Sequence, residues 1–163
     1  MEIKTRIHGL FDRFLARQGR MYDVALRELA QGQRRTNWIC YIFPQLRGLA
    51  KNRKAFVFGL VNGSYAKAYL AHPVLGARLI RCCETLLMHK NKTAEDILGE
   101  NGGMKLRSCA TLFSMVSEEG SVFHRVLDRF FDGKPDPVTV GLVNGSILDM
   151  TYRKFLVGVD HLP

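Results

Sequence analysis

The sequence predicts an all-α chain, a single compact multihelical domain of about six to eight helices joined by short connections. Three observations carry this. Apolar residues recur at helical spacing through most of the chain, and start and stop residues punctuate those stretches. Strand-like alternation is confined chiefly to Phe56–Val61 and Val138–Val143. A chain of 163 residues, 47% apolar and carrying ten Phe, five Tyr and one Trp, is enough for one packed core.

Leu10, Phe11, Phe14 and Leu15 mark the apolar side of a first helix reaching Arg17. Tyr22, Ala25, Leu26 and Leu29 mark a second, with Gly32 as its stop. The aromatic band Asn37 to Phe43 follows, and Pro44 disfavours helical geometry at Phe43 just before it. The basic stretch Arg47 to Lys54, which contains Gly48, is expected to be a loop. His72-Pro73 signals a helix start, after which Val74, Leu75, Leu79, Cys82, Cys83 and Leu86 share one face. Thr93 and Asp96 form a capping box ahead of Ile97 and Leu98. The flexible pair Gly102-Gly103 precedes a helix from Lys105 to Val116, and Ser121 caps another ending near Phe131. The hexapeptide GLVNGS occurs twice, at Gly59–Ser64 and Gly141–Ser146. Its surroundings differ, so two similar local turns are expected rather than a repeat fold, each serine being placed to cap a following helix.

Charge is unevenly spread. Residues 1–54 hold twelve Lys or Arg against four Asp or Glu, a surplus of eight out of the chain's net +9. Such a field concentrates polyanions, nucleotides and nucleic acid included. No apolar run approaches the roughly 20 residues of a membrane span. The first residues lack a secretory pattern, so a cytoplasmic protein without a membrane partner is expected. The four cysteines, two of them adjacent, do not form a disulfide framework. Neither they nor His89 have zinc spacing, so no metal and no cofactor is expected.

Several residues have chemistry to offer. Trp38 suits a core anchor or a stacking platform for a flat ligand, and Asn37 and Gln45 flank the same apolar run with donors and acceptors. His72 is the lone candidate for proton transfer and stands at a helix start, where free N–H groups suit an anion. Lys105, Ser108 and Thr111 follow one another at spacing suited to one side of a helix, and Arg78 with Arg81 offers a second basic edge. Arg34, Arg35, Arg47, Lys51, Arg53 and Lys54 make up a basic patch.

The stretches LFDRFLARQ, YDVALRELAQGQRRTNWICYIFPQL, AYLAHPVLGARL, MKLRSCATLF and FHRVLDRFFDGKPDP, in this order and spacing, resemble a bacterial family catalogued as domain of unknown function 1810. Its members are compact multihelical proteins, sometimes labelled calpastatin-like. The resemblance runs from about residue 10 to 137, leaving 138–163 as a C-terminal extension. It implies an all-helical domain and no particular reaction. The family's recurring polar positions correspond here to Asn37, Gln45, His72, Arg78, Lys105, Ser108 and Thr111, with Trp38 as its aromatic. Two positions depart: Cys40 stands where relatives carry a second tryptophan, and Tyr65 where they carry a glutamate. Were that glutamate the family's acid or base, this chain would lack it.

Three functions follow as expectations. The first is a binding module for a small anionic, nucleotide-like ligand. The second is an enzyme on a phosphate-bearing or nucleotide-derived substrate with His72 as acid or base. The third is a nucleic-acid or protein interaction domain using the basic N-terminal third.

Overall fold

The computed structural model describes residues 2–145, with side chains from 11 to 145. Among these residues there are nine helices: α1 Glu2–Gln31, α2 Ile39–Ile42, α3 Arg53–Phe58, α4 Gly63–Ala71, α5 Leu75–Leu87, α6 Ala94–Leu98, α7 Glu100–Ser114, α8 Val122–Phe131 and α9 Pro137–Val143. The described residues form no strand, only a lone parallel bridge between Leu46 and Leu60. None of these helices is long and apolar enough to cross a membrane.

Where two helices were expected between residues 10 and 29, α1 runs unbroken through Gly19. A helical glycine costs about 1 kcal/mol, and Gly19 is exposed with open space around it. Phe11, Phe14, Gln18, Ala25 and Leu29 are all buried, so both halves of α1 are anchored on one core. Gly32 does stop the helix, at φ +74°. Beyond it Lys92 Nζ donates to the Gly32 carbonyl at 3.0 Å, and His89 Nε2 lies 2.6 Å from the Leu29 carbonyl.

Packed on the apolar side of α1, the Tyr69 ring meets Phe11 and Phe14 edge-on at 5.5 and 5.2 Å. Phe58 closes on Phe14 at 5.3 Å. Trp38, Phe43, Tyr69, Phe113 and Phe123 are the largest fully buried side chains. At the α4–α5 corner the chain passes so closely over itself that a β-carbon on Gly76 would sit 1.9 Å from the Leu70 carbonyl oxygen.

Local signals were used in ways the sequence did not predict. Part of the expected 47–54 loop is helical, because the Asn52 side chain accepts from Ala55 N–H at 2.8 Å and opens α3. Of the two alternating stretches, Val138–Val143 lies within α9, while Phe56–Val61 is helical only as far as Phe58 and includes the bridged Leu60. Helix α9 opens with Pro137 behind Asp136, which accepts from the Thr139 N–H at 3.0 Å. The pair Gly102-Gly103 lies inside α7 and not ahead of it. A β-carbon on Gly102 would be 2.8 Å from Leu98 Cβ, so this glycine lets α6 and α7 meet.

The capping box forms as expected, Thr93 and Asp96 exchanging bonds of 2.9 and 3.0 Å. Ser121 precedes α8 without a capping bond from its hydroxyl, which instead meets His124 Nδ1 at 2.9 Å. In the first GLVNGS it is Asn62, not Ser64, that caps a helix, accepting from Tyr65 N–H at 3.1 Å. The second closes α9 through Gly145 at φ +73°, and its Ser146, with the remainder of the C-terminal extension, lies outside the described residues.

Candidate functional site

The aromatic band is organised by a residue that carries no periodic signal. Glu28, one turn from the end of α1, is buried and accepts four hydrogen bonds: from the Arg35 N–H at 3.0 Å, the Thr36 N–H at 3.1 Å, the Thr36 hydroxyl at 2.6 Å and the Trp38 indole at 2.7 Å. Burial alone would raise its carboxyl, but these donors overcome that and hold it at about 2. Trp38 is 0% exposed and tilts against Phe43 at 6.2 Å, so the indole turns no face to solvent.

The other sequence candidates fall in separate places. Asn37 is exposed, and its carbonyl accepts from Lys54 Nζ at 3.2 Å. Gln45 is half-buried, with its carbonyl bonded to the Leu60 N–H at 2.9 Å. His72 closes α4, and its Nδ1 accepts from the N–H groups of Val74 and Leu75, both at 3.2 Å. That fixes Nδ1 as an acceptor serving the start of α5. Arg78 lies over the Tyr22 ring at 4.9 Å and donates to Gln18 Oε1 at 3.5 Å.

Along α7, Lys105 Nζ is 3.7 Å from Cys40 Sγ and Ser108 is half-buried. Thr111 is fully buried, donating to the Arg107 carbonyl and accepting from the Asp136 N–H, both at 2.8 Å. Thr111 therefore ties α7 to the cap of α9. Cys40 is half-buried, whereas Cys82, Cys83 and Cys109 are buried and burial pushes their thiols up, Cys82 to about 12. Among the described residues no group of three or more His, Cys, Asp or Glu could hold a metal ion.

The basic patch divides in two. Arg34 grips the corner between α6 and α7, donating to the Leu98 carbonyl through Nε at 3.0 Å and Nη2 at 2.8 Å. Arg47 is buried, donates to the Phe56 carbonyl at 3.1 Å and lies 4.3 Å over that residue's ring. Both are built into the fold. Arg35, Lys51 and Arg53 are exposed, and Lys54 stands 5.6 Å over the Tyr41 ring.

A second set of cations, on α1, escaped the sequence reading. Arg13, Arg17, Arg20 and Arg27 are exposed. At about 100° and 1.5 Å per residue they occupy a sector about 80° wide and about 21 Å long, turned away from the buried side. Arg13 Nη1 donates to the Val57 carbonyl at 2.9 Å, which sets the row beside α3. The charge of Arg17 acts on Tyr41, the ring that Lys54 covers. Arg17, Arg20 and Arg27 make no hydrogen bond or ion pair with any described residue. A spacing of seven between Arg13, Arg20 and Arg27 was the available signal. The row and the exposed start of α3 make one basic face.

The model of a family described as a protein of unknown function, DUF1810, matches residues 9–143. The crystal structure of the conserved hypothetical protein Rv1873 from Mycobacterium tuberculosis is similar, at 33% identity and a TM-score of 0.80, over 82% of this chain and 96% of that one. No curated protein matches.

Proposed function

This chain belongs to a family of proteins of unknown function, DUF1810, and from that premise we propose that it is a binding module for nucleic acid, gripping phosphates through the outer face of α1 and the start of α3. The observation that carries this is the row of Arg17, Arg20 and Arg27, exposed and without hydrogen-bond or ion-pair partners among the described residues. Guanidinium groups match phosphate oxygens bidentately and are weakly hydrated, so arginine gives up little on leaving water for a phosphate. Neighbouring Lys51, Arg53 and Lys54 widen the positive field and speed encounter.

The test is fluorescence anisotropy of a labelled mixed-sequence DNA over a salt series. Affinity is expected to fall steeply with salt and to weaken in Arg17→Gln/Arg20→Gln/Arg27→Gln. A flat salt response, or a triple variant that binds as well as the parent, would remove this function.

One observation favours a second reading, a small anionic ligand. A crevice beside the row is lined by Arg13 and Arg47 with Phe11, Phe14 and Tyr65. The Arg13 guanidinium beside these apolar walls suits a single carboxylate or phosphate. Calorimetric titration with inorganic phosphate should then show saturable binding that Arg13→Gln abolishes, and an absence of heat in the parent protein would end this reading.

A further inference from the structure

Resting on the nucleic-acid reading above, we infer that the partner is a double helix, held by its phosphates without regard to sequence, and not a single strand. The face offers charge and withholds rings. Single-strand binding draws on base stacking against exposed aromatic faces. Here three of the rings near basic residues lie beneath cations instead, Tyr41 under Lys54 at 5.6 Å, Phe56 under Arg47 at 4.3 Å and Tyr22 under Arg78 at 4.9 Å, and Tyr65 is half-buried in the crevice beside Arg13. Tyr41 is only 2% exposed and Trp38 is closed to solvent altogether. A splayed base approaching this surface meets ammonium and guanidinium groups before any π-face.

The shape of the row favours the stiffer polymer as well. Arg13, Arg20 and Arg27 are about 10.5 Å apart along a straight helix, close to the roughly 12 Å width of a major groove flanked by phosphates. A duplex carries one charge per about 1.7 Å of its axis, twice the density of one strand, so the roughly 21 Å of duplex beside the row carries on the order of twelve phosphates around its whole circumference. Exposed Asp12 and Asp23 lie to one side of the arginine sector on α1 and bound the strip that phosphates can approach. Four arginines on one convex helix face can neutralise charge, but they cannot surround a flexible chain.

The deciding experiment is competition against a labelled mixed-sequence DNA duplex, using as competitors the unlabelled duplex, an unrelated duplex and each separated strand. Both duplexes should compete equally, and each strand at a concentration at least about tenfold higher. In Arg17→Glu/Arg20→Glu/Arg27→Glu the duplex should bind more than about tenfold more weakly, with the slope of log affinity against log salt reduced by about 2.7, at about 0.9 per lost phosphate contact. Strands that compete as well as the duplex would overturn this inference and leave the phosphate-binding surface standing. Strong preference for one duplex sequence would overturn its indifference to sequence. Failure of both forms to bind, or a charge-reversed variant with unchanged duplex affinity, would overturn both readings.

Discussion

Two stretches of α1 treat charge in opposite ways. At its C-terminal end Glu28 sits among four donors, with every bond directed at the segment that follows. Along its outer face Arg17, Arg20 and Arg27 stand without hydrogen-bond or ion-pair partners among the described residues. A buried charge survives only when it is surrounded by partners, so it reports on how the chain is held together. An exposed charge without partners contributes almost nothing to folding. Four like charges in one sector repel one another, a cost that the proposed phosphate contacts would offset.

The largest expected effect lies at the buried end. Trp38→Ala should cost about 3–5 kcal/mol in urea unfolding, from a large cavity and from Glu28 losing a donor. A loss under about 1 kcal/mol would mean that the indole is not the anchor it resembles.

Glu28→Gln should cost about 2–3 kcal/mol at neutral pH, because an amide cannot accept from all four donors and one of its own faces them. The carboxyl is held at about 2, below its usual 4.5, so its contribution is complete above pH 4.5 and disappears as the pH falls towards 2. The gap in stability between parent and variant should close over that window. A gap independent of pH would assign the loss to packing.

Next comes Thr111→Val, expected to cost about 1–3 kcal/mol, since it leaves the Asp136 N–H without its acceptor. Hydrogen exchange should show α9 loosening before α7. The smallest effect belongs to the outer face: Arg17→Gln/Arg20→Gln/Arg27→Gln should leave stability within about 0.5 kcal/mol of the parent. A stability loss as large as that of Thr111→Val would make the row structural and erase the contrast.

The helices of the core were legible where one face repeats. Leu75, Leu79, Cys82, Cys83 and Leu86 are all buried on α5, as their spacing requires, whereas Val74, expected on the same face, precedes the helix and is exposed. Caps made within four residues were equally plain, as Thr93 and Asp96 show. Elsewhere tertiary packing overrode local preference: α1 passes through Gly19, and α7 takes in Gly102 because Leu98 needs the space. For the site, composition announced basicity in residues 1–54 but could not sort it. Arg34 and Arg47 look like surface charge in the sequence, yet both spend their donors on main-chain carbonyls supplied by distant or buried segments. The inward turn of Trp38 depends on a carboxylate ten residues earlier, a relation with no local pattern.

The clamp on the end of α1 bears on the entropy of binding. With the Leu29 carbonyl met by His89 and the Gly32 carbonyl by Lys92, the helix is held at that end, and the arginine spacing would be set before the proposed partner binds. Ordering then falls on side-chain rotamers alone, about 0.5–1.5 kcal/mol for each one immobilised. Association should accordingly be fast and show little of the heat-capacity change that accompanies folding on binding.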